Sequence, residues 1–197
     1  MFKDIKIGCS SSMTKYGTRL DTAIVRLEKK AIWSGLFTSN KFKSAPVEIC
    51  LEKMNKNISE PKVLMVNAGN ANAATGKKGK KDSEKLIKEV SSLLNISKDN
   101  ILPFSTGVVG ELLDTKKLSQ AFKRCTEQLG QNSWNDFAKA IMTTDTCHKV
   151  VKKQFSLGAQ KINIIGVAKG VGMIEPNMAT TLSFIFTDLK LSKIQLK

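Results

Sequence analysis

Lys62-Val63-Leu64-Met65-Val66-Asn67-Ala68-Gly69-Asn70-Ala71-Asn72-Ala73-Ala74-Thr75-Gly76-Lys77 runs from an apolar segment into a loop of small residues. Lys62–Val66 reads as a buried strand, and Asn67 to Gly76 as the loop after it. Ser83 or Asp82 can then cap a helix whose apolar face is Leu86, Ile87, Val90, Leu93 and Leu94. Ile101–Phe104 reads as a second strand and leads into Ser105-Thr106-Gly107. Strands alternating with helices imply an α/β fold, its sheets covered by helices.

The flanking segments carry the same alternation. Ala31–Phe37 is expected to be a strand, from its aromatic and apolar content. Val47–Met54 reads as a short helix behind Pro46. Lys117–Leu129 is a helix stopped by Gly130, and Ser133–Met142 is another, with Trp134, Phe137, Ala138 and Ile141 on one face. Lys149–Phe155, Lys161–Ala168 and Thr181–Thr187 read as strands.

The 197 residues are 41% hydrophobic and 25% charged, an ordinary globular balance. The longest apolar stretches, such as Ile32–Phe37 and Leu182–Phe186, are too short to span a bilayer. Met1-Phe2-Lys3-Asp4-Ile5-Lys6 lacks the apolar core of a secretory signal, so a soluble cytoplasmic protein without a membrane partner is expected. Cys9, Cys50, Cys125 and Cys147 form no C-x-x-C pair and have only His148 for company, which argues for free thiols and no metal site. The formal charge of +15 is almost all lysine, because Arg19, Arg26 and Arg124 are the only arginines. Base reading and phosphate clamping favour arginine forks. Lys77-Lys78-Gly79-Lys80-Lys81 has no interleaved aromatics for base stacking. A solvated lysine surface, without a nucleic-acid partner, is the expectation.

Three motifs fail on detail. Ala71 and Lys78 stand where a phosphate loop needs glycine and a hydroxyl residue. Val66–Lys77 is better read as a tight turn packed on another backbone, with asparagines bonding to main-chain groups. Gly170-Val171-Gly172 has Glu175 at the third glycine position of a dinucleotide fingerprint. Cys147 and His148, as chain neighbours, point to opposite faces of an extended segment and make a poor catalytic pair.

The sharpest feature is Gly170-Val171-Gly172-Met173-Ile174-Glu175-Pro176-Asn177-Met178-Ala179-Thr180-Thr181-Leu182. A threonine hydroxyl needs a base to act as nucleophile. An α-amino group on the same residue can serve, since its pKa is about 7.7–8.0, well below lysine's 10.4 or so. Thr180 acquires that amine only if its bond to Ala179 is cut, and its own hydroxyl can attack the Ala179 carbonyl to give an ester that water opens. Taken alone, an Ala-Thr pair has a purely structural reading too.

Together with Val66–Gly76, Ser105-Thr106-Gly107-Val108-Val109-Gly110-Glu111 and three further motifs, Lys169–Leu182 resembles the bifunctional glutamate N-acetyltransferase family, also called ornithine acetyltransferase. The remaining motifs are Ala140-Ile141-Met142-Thr143-Thr144-Asp145-Thr146, Gly35-Leu36-Phe37-Thr38-Ser39-Asn40 and Ala45-Pro46-Val47, all in family order. The resemblance implies a self-processing threonine-nucleophile acetyltransferase fold: sandwich-like mixed α/β sheets covered by helices, incomplete in this chain. It implies cleavage between Ala179 and Thr180, dividing the sequence into an α-chain region, 1–179, and the start of a β-chain region, 180–197. Thr180 would take an acetyl group from N-acetylornithine and pass it to glutamate, in arginine biosynthesis. Thr106 and Gly107 match the oxyanion hole, and Thr143, Lys169 and Thr180 the substrate contacts. No bound cofactor is implied, though some members accept acetyl-CoA as co-substrate. The expected partners are a missing carboxy-terminal half, or β-chain, and an α2β2 assembly. The chain departs from the family at Thr181, where methionine is usual. It departs also in length, because family precursors are about twice as long. Two readings stay open: the acetyltransferase itself, and an inactive or partner-dependent amino-terminal fragment of it.

Overall fold

The computed structural model describes residues 2–56, 60–172 and 181–196. Four strands form one mixed sheet in the order β1 (Ile5–Ser10), β2 (Thr22–Leu27), β3 (Val63–Asn70) and β4 (Ile101–Val108). β1, β2 and β3 pair antiparallel, and β3 pairs parallel with β4. The parallel pair needs a long crossover, and α2 (Gly76–Leu94) supplies it. A second sheet is an antiparallel meander of β5 (Lys149–Leu157), β6 (Gln160–Lys169) and β7 (Leu182–Thr187). This mixed α/β arrangement agrees with the expected fold class.

Period-two alternation builds both faces of the first sheet. Ile24, Val63, Met65 and Ile101 face α2, α1 (Ala45–Asn55) and α3 (Thr115–Glu127), meeting Ile49, Leu86, Ile87, Val90, Leu118 and Phe122. Ile7, Cys9, Ala23, Val25, Leu64, Val66 and Leu102 point the other way. There they meet α4 (Trp134–Ala140) through Phe137 and Ala138, and the second sheet through Ile165, Val167 and Phe184. Edge-on aromatic packing joins the two sheets: the Phe104 and Phe184 rings lie 4.9 Å apart at 83°. α4 opens with a capping box, in which Ser133 Oγ accepts from the Asp136 amide and Asp136 accepts from the Ser133 amide. A last short helix, α5, spans Lys193–Leu196. No described helix is long and apolar enough to cross a membrane.

Several segments differ from expectation. Ala31–Phe37 is not a strand: Trp33 and Phe37 pack partly buried against the core while Leu36 is almost fully exposed. Asn67–Asn70 is strand, because parallel pairing with β4 continues to Val108. α2 starts at Gly76, ahead of the expected cap; Ser83 is buried inside it and accepts from Asn72 Nδ2 at 2.8 Å. Leu93, assigned to its apolar face, is 46% exposed. Gly130 does not end α3, which stops at Glu127, but at φ +88° it turns the chain so that its amide donates to the Ile7 carbonyl.

Candidate functional site

Two groups of residues singled out in the sequence are held at the ends of strands. The first is at the end of β4. Thr106 is buried, and its Oγ1 finds no hydrogen-bond partner among the described residues. Buried polar atoms without a partner are uncommon and call for an explanation. Gly107 comes next at φ +133°, and its backbone lies directly against Gly69 of β3. The β3–β4 register slips here, so that Asn70 stands opposite both Thr106 and Val108.

Asparagines brace this slip. Ser105 Oγ donates to Asn67 Oδ1 at 2.6 Å, and Asn67 Nδ2 donates to the Asn70 carbonyl at 2.9 Å. Asn70 Nδ2 reaches the Glu111 and Leu112 carbonyls, while the fully buried Asn72 holds the first turns of α2 through the Gly79 carbonyl. The close backbone approach expected of these small residues is present where Gly107 meets Gly69, but Val66–Asn70 belongs to β3, so the loop is confined to residues 71–75.

The second group lies where α4, β5 and β6 converge. Lys169, the last residue of β6, is only 4% exposed, and its Nζ donates to Thr143 Oγ1 at 2.9 Å. Burial pulls the Lys169 ammonium below its ordinary pKa, against the opposing pull of Asp145. Asp145 Oδ1 accepts from Lys149 Nζ at 2.6 Å and from the Gly170 amide at 2.9 Å. Burial pushes this carboxyl up, but the Lys149 hydrogen bond and the Gly170 and Thr143 amides outweigh it and bring it down to about 2. Arg19, stacked 3.7 Å from the Tyr16 ring centroid, donates to the carbonyls of Met142 and Thr143.

The structure thus brings Thr143 and Lys169 together, and places Thr106 beside Gly107 at the β3–β4 slip. Phe104 and Phe184 connect the strand bearing Thr106 to β7. Ala179 and Thr180 lie outside the described residues. Thr181 is described, and its hydroxyl donates to the Lys169 carbonyl at 2.9 Å, so it is already engaged as a donor. Cys147 and His148 are both exposed, as befits a poor catalytic pair. Sequence reasoning gave no role to Asp145 or Arg19. Their only signals were a carboxylate within Thr143-Thr144-Asp145-Thr146 and the scarcity of arginine.

Known proteins share this outline. The ArgJ family pattern matches residues 6–197. The arginine biosynthesis bifunctional protein ArgJ of Methylococcus capsulatus is 36% identical over 187 residues, which are 95% of this chain and 45% of that protein. Its counterpart in Caldanaerobacter subterraneus is 39% identical over 91% of this chain and 44% of that protein. The chain therefore spans about half the length of the curated relatives it matches. Among solved structures, ArgJ from Bacillus halodurans superposes with a TM-score of 0.82 at 29% identity, covering 90% of this chain and 92% of that one. The ornithine acetyltransferase of Mycobacterium tuberculosis, solved with ornithine, gives 0.76 at 26% identity, covering 90% and 93%.

Proposed function

This chain belongs to the ArgJ family, and from that premise we propose that it is the nucleophile-bearing half of an enzyme that moves an acetyl group from N2-acetylornithine to glutamate in arginine biosynthesis. The observation that carries the reading is the buried hydroxyl of Thr106 beside Gly107, which has no partner among the described residues. Attack on an acetyl amide builds negative charge on its oxygen, and a donor already desolvated and uncommitted needs no reorganisation to meet it. Thr106 would donate through its hydroxyl and Gly107 through its amide.

Thr180 acts twice in this scheme. Its hydroxyl first adds to the Ala179 carbonyl, the peptide nitrogen leaves as the new α-amine, and water opens the resulting ester. The freed amine then takes the hydroxyl proton as Thr180 attacks the acetyl carbon. Ornithine departs as its amine, and the α-amine of glutamate attacks the acetyl-threonine ester to release N-acetylglutamate. The engagement of the Thr181 hydroxyl with Lys169 supports Thr180 as the nucleophile. Thr143 and Lys169 would hold a substrate carboxylate. Two further features belong to the proposal: acetyl-CoA as a co-substrate donor with no resident cofactor, and a cytoplasmic α2β2 assembly.

Fused to the remaining half of a relative such as the Methylococcus capsulatus protein, the chain should split between Ala179 and Thr180 without any protease. It should then gain one acetyl group on Thr180 from N-acetylornithine, read by intact mass. An uncut or unacetylated product rejects the reading.

A specific observation favours the partner-dependent alternative for the chain alone. Val151, Gly166 and Ile185 pair across β5, β6 and β7, and Val151 and Ile185 are 59% and 73% exposed. An apolar row of this kind invites cover by another polypeptide.

A further inference from the structure

Resting on the reading of Thr143 and Lys169 as substrate contacts, we infer that Asp145 is the positioning residue of this site. One buried carboxylate ties the Thr143 turn and the end of β6 into a single unit that receives the substrate's carboxylate.

The geometry leaves Asp145 no slack. Its Oδ1 accepts from both Lys149 Nζ, at 2.6 Å, and the Gly170 amide, at 2.9 Å. Its Oδ2 accepts from the Thr143 amide at 3.3 Å. Thr143 and Lys169 are 26 positions apart in sequence, yet each sits at or beside a residue whose amide is bound to this side chain. Fixing the Thr143 and Gly170 amides on one carboxylate fixes the separation from which Lys169 Nζ reaches Thr143 Oγ1. Arg19 braces the same turn from its other side, through the Met142 and Thr143 carbonyls. Gly170 also opens the stretch leading to Thr180, so the tether that orients the substrate contacts holds one end of that stretch.

Only a carboxylate fits the pattern of donors. The three groups that the described residues present to Asp145 are all N–H donors, and an asparagine has one acceptor oxygen. Whichever way an amide turned, its NH2 would meet the Thr143 amide, or else the Lys149 ammonium and the Gly170 amide.

The test uses the 197-residue chain, labelled with 15N and titrated with L-glutamate. Asp145→Asn should move the Thr143 and Gly170 amide resonances and weaken L-glutamate binding about tenfold, the usual scale for losing a charge-assisted anchor. Lys149→Met, which keeps the carboxylate and both amide contacts, should change affinity by about twofold at most. Where Asp145→Asn does not fold, Asp145→Glu decides: its carboxylate reaches one methylene further and should cost about as much. Wild-type affinity in the deciding variant, while Lys169→Met binds poorly, overturns the positioning role. Should Lys169→Met be no different from the wild type, the substrate reading itself fails. The positioning role is then judged on the Thr143 and Gly170 resonances alone, and unmoved resonances overturn it.

Discussion

A methyl group placed on Gly107 would stand 2.3 Å from the carbonyl carbon of Gly69. The strand carrying the proposed oxyanion donors is thus pressed against its neighbour at the point where the register slips. Gly107→Ala meets two obstacles, the φ of +133° and backbone that cannot move aside. The variant should lose about 3 kcal/mol or more of stability, measured by urea denaturation of the chain.

Thr106→Val separates chemistry from stability. Valine has the shape of threonine without the hydroxyl, and that hydroxyl is buried with no partner among the described residues. The variant should be as stable as the wild type, or more stable by about 1 kcal/mol. In the complete enzyme its turnover should fall about a hundred- to a thousandfold. Undiminished turnover makes Thr106 a turn residue only.

Acid should weaken the Asp145 tether. Its carboxyl lies at about 2 in the folded chain, against an ordinary 3.8. A depressed folded value means stability that is present above the unfolded value and lost as pH falls through the folded one. The stability gap between wild type and Asp145→Asn should therefore be full above about pH 4 and shrink towards pH 2. A gap that is constant over this window contradicts the assignment.

Self-processing distinguishes the two adjacent threonines. In the complete enzyme Thr180→Ala should stay uncut and inactive. Thr181→Ala should still be cut, because the Thr181 hydroxyl is engaged with the Lys169 carbonyl. Amino-terminal sequencing reads both outcomes, and cleavage of Thr180→Ala ends the self-processing account.

The apolar row on the second sheet predicts self-association of the isolated chain. Val151→Lys together with Ile185→Lys should raise the monomer fraction in sedimentation. The melting temperature should change little, because both side chains are largely exposed. A wild-type chain that is already a monodisperse monomer removes the premise.

Elements whose signal is local were legible in the amino-acid order alone. Leu86, Ile87 and Val90 repeat at helical spacing, Ser133 and Asp136 form a cap within one turn, and the apolar runs of β3, β4, β6 and β7 bury one face or both. The family motifs, read as a set, also singled out Thr106, Gly107, Thr143 and Lys169 as candidates.

The remaining features depend on long-range partners, which folding alone brings together. Asn67–Asn70 looks like loop because its small polar residues have weak strand preference, and β4 alone supplies the parallel pairing that makes it strand. Trp33 and Phe37 look like strand residues but are held by packing against the core rather than as part of either described sheet. The α2 start is set by Asn72 and Ser83 meeting in the interior, which overrides the glycines and lysines of its first turns. Asp145 had as its sole signal a place within Thr143-Thr144-Asp145-Thr146; its link to an amide 25 residues away arises only when the pairing of β5 with β6 brings that amide within hydrogen-bonding distance.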